Sequence, residues 1–139
     1  MIVYFDSSAL VKLVVEEPDS DQATRLWAGS ELAVSSRLAH PEVRSARAAA
    51  RRDHRLSEAA LDAAVQAWGR IWASIRPIGL TARIEQDAGD LVGPQALSGA
   101  DAVHLASALA FDDTGLLFAA WDRRLRAGAV AAGLTVVPN

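Results

Sequence analysis

The sequence predicts an α/β domain in which a central parallel sheet of four to five strands is flanked by helices on both faces. Short strand-like runs alternate with longer segments of helical periodicity along the whole chain. No repeat, low-complexity tract or linker breaks that alternation. The first run, Ile2-Val3-Tyr4-Phe5, is apolar throughout, as in a strand buried on both faces.

Ile2 to Phe5 predicts the first strand, and Ser7 or Ser8 caps a helix through Leu10, Leu13 and Val14 that Pro18 stops. A helix around Gln22 to Trp27 ends at Gly29, and Leu32-Ala33-Val34 predicts the second strand. Ser35 or Ser36 then opens a helix toward Arg52. Ser57 starts a long helix through Leu61, Val65, Trp68 and Trp72, and a short strand follows near Ile75 to Ile78. Thr81 begins a helix carrying Ile84 and Leu91. After Gly93-Pro94 comes a helix containing Asp101, then a strand from Leu116 to Ala119, a helix from Arg123 and a last strand from Leu134 to Val137.

Composition bounds the function. With 139 residues and 51% hydrophobic content, the chain predicts one globular domain over residues 1–139 with a sizeable core. The absence of cysteine excludes disulfides, thiolate catalysis and Cys-ligated metal centres. Asp6 and Lys12 interrupt the first apolar run, and no stretch approaches a membrane span, so a cytoplasmic protein is expected. A net charge of −3 argues against coating nucleic acid by bulk electrostatics. Thirteen of the 14 basic residues are Arg, which suits bidentate phosphate or carboxylate contacts, although a GC-rich genome also favours Arg.

Four acids carry the chemistry. Asp101 stands in the small and apolar run Ala100-Asp101-Ala102-Val103-His104-Leu105, where a carboxylate must be neutralised, hydrogen-bonded or paired. Asp6 and Asp122 follow two predicted strands at the carboxyl edge where open α/β sheets bind ligands. Glu42 lies ahead of the Ala-rich run around Ala46 to Ala50. Gathered at one point, these oxygens suit Mg²⁺ or Mn²⁺, and phosphoester hydrolysis is the chemistry that needs such a site. Each acid also has a structural alternative. Asp6 and Asp122 precede helices and suit N-caps, Asp101 follows Ser98 at capping-box spacing, and Glu42 suits a solvated helix face.

Val3-Tyr4-Phe5-Asp6-Ser7-Ser8-Ala9-Leu10, Glu42-Val43-Arg44-Ser45-Ala46, Asp101-Ala102-Val103-His104-Leu105-Ala106-Ser107-Ala108 and Trp121-Asp122-Arg123-Arg124-Leu125 together resemble the PIN-domain ribonucleases, most closely the VapC toxins of type II toxin–antitoxin (VapBC) pairs. The resemblance spans essentially the whole chain. It implies a PIN-like fold and a metal-dependent endoribonuclease with catalytic Asp6, Glu42, Asp101 and Asp122. It further implies that Asp6 and Asp101 bind Mg²⁺ or Mn²⁺ directly, that Glu42 and Asp122 act through water, and that Ser7 is a secondary polar contact. A homodimer, a VapB-type antitoxin, a toxin–antitoxin hetero-oligomer and an RNA substrate are the implied partners, with no membrane. Two positions depart from the family pattern. Ala120 stands where many relatives carry Thr or Ser, and Pro41 directly before Glu42 predicts a kinked or late-starting helix.

Arg44, Arg47, Arg51 and Arg55 recur at helical spacing, and Arg123, Arg124 and Arg126 follow Asp122. These arginines either contact RNA or antitoxin or form solvated faces. His104, lone on an apolar helix, reads as packed and hydrogen-bonded rather than as a ligand or base. Trp68 and Trp72 share a helix face and suit core packing, or else a dimer or antitoxin surface. A small metal-dependent phosphatase is disfavoured because Ser8 stands where such an enzyme carries a second Asp. A catalytically weak PIN-like RNA-binding module is the remaining alternative.

Overall fold

The structure, a computed structural model, describes residues 1–139. Its elements run β1 (Ile2–Phe5), α1 (Ser7–Val14), α2 (Ser20–Gly29), β2 (Leu32–Ser36), α3 (Ala39–Arg52), α4 (Glu58–Ser74), β3 (Arg76–Ile78), α5 (Ala82–Leu91), α6 (Gly99–Ala110), β4 (Leu117–Ala119), α7 (Arg123–Ala131) and β5 (Thr135–Val137). All five strands are parallel, in the order β3-β2-β1-β4-β5. The fold is the expected one, with five strands rather than four. No helix is long and apolar enough to cross a membrane.

Alternation along β1 divides the core. Val3 and Phe5 pack with Ala9, Leu10, Val43 and Trp68 on the α1, α3 and α4 side. Tyr4 points the other way, into the larger cluster of Ile84, Leu105, Phe118 and Leu125. Its ring stacks on Phe118 with centroids 5.3 Å apart. The chain winds outward from β1 through β2 and β3, then returns to place β4 on the other side of β1. The sheet therefore switches direction between β1 and β4, and the carboxyl ends of these two strands mark the edge where open α/β sheets bind ligands, here called the β1/β4 crevice.

Most predicted starts hold. Ser57 Oγ accepts from Ala60 N–H, Thr81 Oγ1 from Ile84 N–H and Ser98 Oγ from Asp101 N–H, at 3.1–3.2 Å. Two do not. Asp6, not Ser7 or Ser8, caps α1. The third helix begins at Ala39 rather than at Ser35 or Ser36, because both serines extend β2. Ser35 Oγ donates to the Phe5 carbonyl at 2.7 Å and Ser36 Oγ accepts from Leu38 N–H at 3.1 Å. That start is later than Ser35 or Ser36 yet two residues ahead of Pro41, so the helix accommodates the proline. The proline falls in the first turn of α3, where a backbone N–H has no helical acceptor, and Glu42 N–H already reaches Leu38 O.

Trp68 belongs to the core, 3% exposed, and its indole N–H donates to His40 Nδ1 at 3.1 Å. Trp72 completes an aromatic group with these two.

Candidate active site

The two strand-end aspartates are both caps. Asp6 Oδ1 accepts from Ala9 N–H at 2.8 Å, and Ser8 Oγ–H lies 2.9–3.0 Å from both carboxylate oxygens. Asp122 Oδ1 accepts from Leu125 N–H at 2.9 Å. A cap occupies one lone pair of one oxygen, so the capping alternative is correct for both residues without exhausting either carboxylate. Asp101 is different. It is the residue capped by Ser98, not a cap itself, and it stands half-buried in the first turn of α6. Near a helix N-terminus, its negative charge is favoured.

These acids share one electrostatic neighbourhood. Asp6 is 3% exposed, and burial pushes its carboxyl up to about 6, with Asp101 raising it further against the opposing pull of His104, Ala9 N–H and Ser8. Asp101 is also raised, first by burial and then by Asp122. Glu42 adds to the pressure on Asp101. Three elements thus bring carboxylates into mutual repulsion at the β1/β4 crevice, and α3 supplies a fourth. They do not form a closed cage, since no three acidic or histidine side chains converge as ready metal ligands.

Glu42 is held. Ser7 Oγ–H donates to its Oε1 at 2.6 Å, and His104 Nε2 approaches the same oxygen at 2.7 Å. Burial raises the Glu42 carboxyl, but the hydrogen bonds from His104 and Ser7 outweigh it, and the net shift is downward. His104 is 1% exposed. Its Nδ1 lies 2.8 Å from Tyr4 Oη and its Nε2 2.9 Å from Ser7 Oγ. The expectation for His104 holds, because it is packed and hydrogen-bonded, yet its partners make it part of the site. Sequence spacing could not reveal that link, since Tyr4, Ser7 and Glu42 lie on other segments, 100, 97 and 62 residues away.

The arginines fall into separate groups. Arg123 is exposed beside Asp122 at the start of α7. Arg126 is occupied structurally, donating to the Ala120 carbonyl at 2.7 Å and the Pro138 carbonyl at 2.6 Å, so it ties the chain end to the end of β4. On α3, Arg44, Arg47 and Arg51 share a face as expected. At 3.6 residues per turn, that face is rotated by roughly 140–200° from Glu42. Between them runs the buried stripe of Ala39, Val43 and Ala50. Arg47, Arg51 and Arg52 instead line a cleft of about 490 Å³ with Leu61 and Val65 of α4. Arg55 does not join the stripe. The helix ends at Arg52, His54 turns into the left-handed region at φ 55°, and Arg55 pairs loosely with Asp53 at 3.7 Å.

The PIN domain profile matches residues 3–130. The chain belongs to the PIN-domain family. Two Mycobacterium tuberculosis relatives, ribonuclease VapC45 of strain CDC 1551 / Oshkosh and ribonuclease VapC49 of strain H37Rv, are each 57% identical over 137 residues, covering 99% of this chain and 95% of theirs. Ribonuclease VapC46 of strain H37Rv is 35% identical over 139 residues, covering 97% of this chain and 95% of its own. The crystal structure of M. tuberculosis VapC20, described as a sarcin-ricin loop cleaving toxin, superimposes with a TM-score of 0.68 at 23% identity. The match covers 96% of each chain, a likeness of fold.

Proposed function

We propose that this chain is the toxin of a type II toxin–antitoxin pair, an Mg²⁺- or Mn²⁺-dependent endoribonuclease that works in the cytoplasm as a single domain over residues 1–139. The observation that carries the reading is the placement of Asp6 after β1, Asp101 in the first turn of α6 and Asp122 after β4, where burial first and then like charge hold Asp6 and Asp101 above their ordinary range. A hard divalent cation relieves that repulsion, and an oxygen-only donor set of this kind suits Mg²⁺ or Mn²⁺. Asp6 and Asp101 bind the ion directly. Glu42, with Oε1 committed to Ser7 and His104, and Asp122, with Oδ1 committed to a cap, act through water. A divalent ion held there would supply an activated water at neutral pH and would offset charge on the phosphate.

The residues perform the rest of the reaction. Glu42 and Asp122 orient the attacking water toward phosphorus, the P–O3′ bond breaks, and the products carry a 5′-phosphate and a 3′-hydroxyl. Ser7 fixes Glu42 as a secondary contact. Ala120 brings no hydroxyl to the crevice, so orientation of water falls to the carboxylates alone. Arg123, exposed beside Asp122, contacts the RNA backbone. Arg44, Arg47 and Arg51 face away from Glu42, and the cleft that Arg47, Arg51 and Arg52 line with Leu61 and Val65 suits an acidic or polar segment of a VapB-type antitoxin. The functional unit is a homodimer that forms a hetero-oligomer with that antitoxin.

End-labelled cellular RNA incubated with antitoxin-free protein in Mn²⁺ or Mg²⁺ tests the reading. Discrete cuts are expected, abolished by EDTA and reduced at least about 10³-fold by Asp101→Asn, as loss of several kcal/mol of charge stabilisation requires. Cleavage that survives EDTA, or an Asp101→Asn protein that cuts normally, would remove the metal-dependent mechanism.

A further inference from the structure

The reaction reading uses Glu42 but leaves unexplained why the molecule buries an imidazole behind it. Besides Ser107, helix α6 otherwise buries Ala102, Leu105, Ala106 and Ala108, and an apolar side chain in place of His104 would serve packing without the cost of a buried ring nitrogen. Instead both nitrogens of His104 are matched, by groups from β1, α1 and α3.

The donors and acceptors assign the tautomer. A carboxylate oxygen only accepts, so the contact from Nε2 to Glu42 Oε1 needs the hydrogen on Nε2, with Ser7 Oγ sharing it. Nδ1 is then an acceptor, and Tyr4 Oη–H is its donor at 2.8 Å. Tyr4 remains a phenol, since burial and then the charge of Asp6 raise its hydroxyl well above the ordinary range. The phenol is itself fixed, with its ring stacked on Phe118 and none of its surface exposed.

We propose that His104, braced by Tyr4, is a positioning residue: the buried chain from Tyr4 through His104 to Glu42 locks that carboxylate by Oε1 and leaves Oε2 as its oxygen for the site. Glu42 lies on the first turn of a helix and is only half-buried, so without this hold it would sample several rotamers and lose entropy on engaging a ligand. A rigid partner behind the ligating group is how metal and catalytic sites are pre-organised. Ser7 alone cannot do this, because its hydroxyl rotates, whereas the imidazole plane is fixed at both ends.

This inference rests on the metal-dependent reading above, and its test separates the two. The first readout needs no metal. Side-chain ¹⁵N spectra of the metal-free protein, with the His104 signals assigned by their loss in His104→Gln, should show a single Nε2–H tautomer. In Tyr4→Phe, which keeps the ring stack but removes the donor, that tautomer preference should relax. The second readout is Mn²⁺ affinity by calorimetry. His104→Leu should weaken it roughly 10–100-fold, the usual effect of losing a partner behind a ligand. His104→Gln should recover much of the loss, since its amide N–H reaches about where Nε2 stands, and single-turnover cleavage should follow the same order.

An Nδ1–H tautomer in the native protein overturns the relay. So does a folded His104→Leu protein that binds Mn²⁺ as tightly as native, or a Gln variant no better than Leu. Should Leu fail to fold, the Tyr4→Phe spectra and the Gln affinity decide by themselves. A native protein that binds no Mn²⁺ overturns the metal-dependent reading itself, and the relay with it.

Discussion

Glu42 and Asp101 are helix-borne carboxylates of one crevice, both in first turns and both half-buried, yet their carboxyls are driven in opposite directions. Burial raises each. For Glu42, hydrogen bonds from His104 and Ser7 reverse the shift, whereas Asp101 meets burial and then the charge of Asp122, with no donor strong enough to reverse them. Asp6 sides with Asp101 despite its cap, because it is the most deeply buried of the four. The molecule has thus satisfied one acid from within and left two at a disadvantage when ionised. On the proposed reading, the group stabilised in advance would serve orientation, and the groups held in mutual repulsion would serve a cation.

Stability without metal is the sharpest way to break that contrast. The Asp6 carboxyl is raised from 3.8 to about 6. A raised folded value gives stability that is full below about pH 4 and lost as pH rises through 6, so ionised Asp6 burdens the fold at neutral pH. Asp6→Asn retains an oxygen to cap Ala9 N–H. In EDTA it should gain up to about 3 kcal/mol at pH 7.5, and the gain should vanish near pH 4. Glu42 has a lowered folded value, so its contribution is present above the ordinary range and is lost as pH falls. Glu42→Gln should cost about 1–2 kcal/mol at pH 7.5. Urea unfolding at the two pH values reads both, and two variants that shift in the same direction would abolish the distinction.

Metal titration sharpens it. Mn²⁺ at 100 times its dissociation constant should stabilise the native protein by about 2.7 kcal/mol. That stabilisation should decline as pH falls from 7.5 to 5, since the ion competes with protons on Asp6 and Asp101. Glu42 remains ionised over that range, so Glu42→Gln should weaken the affinity while keeping the pH slope. Thermal melts across pH measure this, and a flat dependence would show that the raised carboxyls do not hold the ion.

The two strand-end aspartates were legible because both constraints on them are local: a buried run ends, a helix starts, and the residue between must cap. Ser57, Thr81 and Ser98 were legible for the same reason. Ser35 and Ser36 misled because the same residue types also serve strand ends: Ser35 donates to the Phe5 carbonyl of β1, and Ser36 accepts from Leu38 N–H two residues on. The stripe ended early at Arg52 because His54 takes a left-handed turn that spacing alone does not forbid. The opposite shifts of Glu42 and Asp101 were beyond reading, since they depend on His104 and Asp122, which are neighbours only in space.

The basic residues extend the comparison to substrate and partner. Arg47, like the raised aspartates, is disfavoured in its charged form, first by burial and then by Arg44. An anion would relieve that pair, but their face of α3 is turned away from Glu42, and Arg47 lines the α4 cleft. Arg123 adjoins Asp122 instead. If RNA crosses the β1/β4 crevice, Arg123→Gln in an inactive Asp101→Asn background should weaken RNA binding and reduce the slope of log affinity against log salt by about 1. Arg51→Gln should leave that slope unchanged, because its charge belongs to the cleft. Fluorescence anisotropy over a salt series measures both. A slope that falls with Arg51→Gln and not with Arg123→Gln would route the RNA over α3 and α4, and would separate the binding track from the carboxylates.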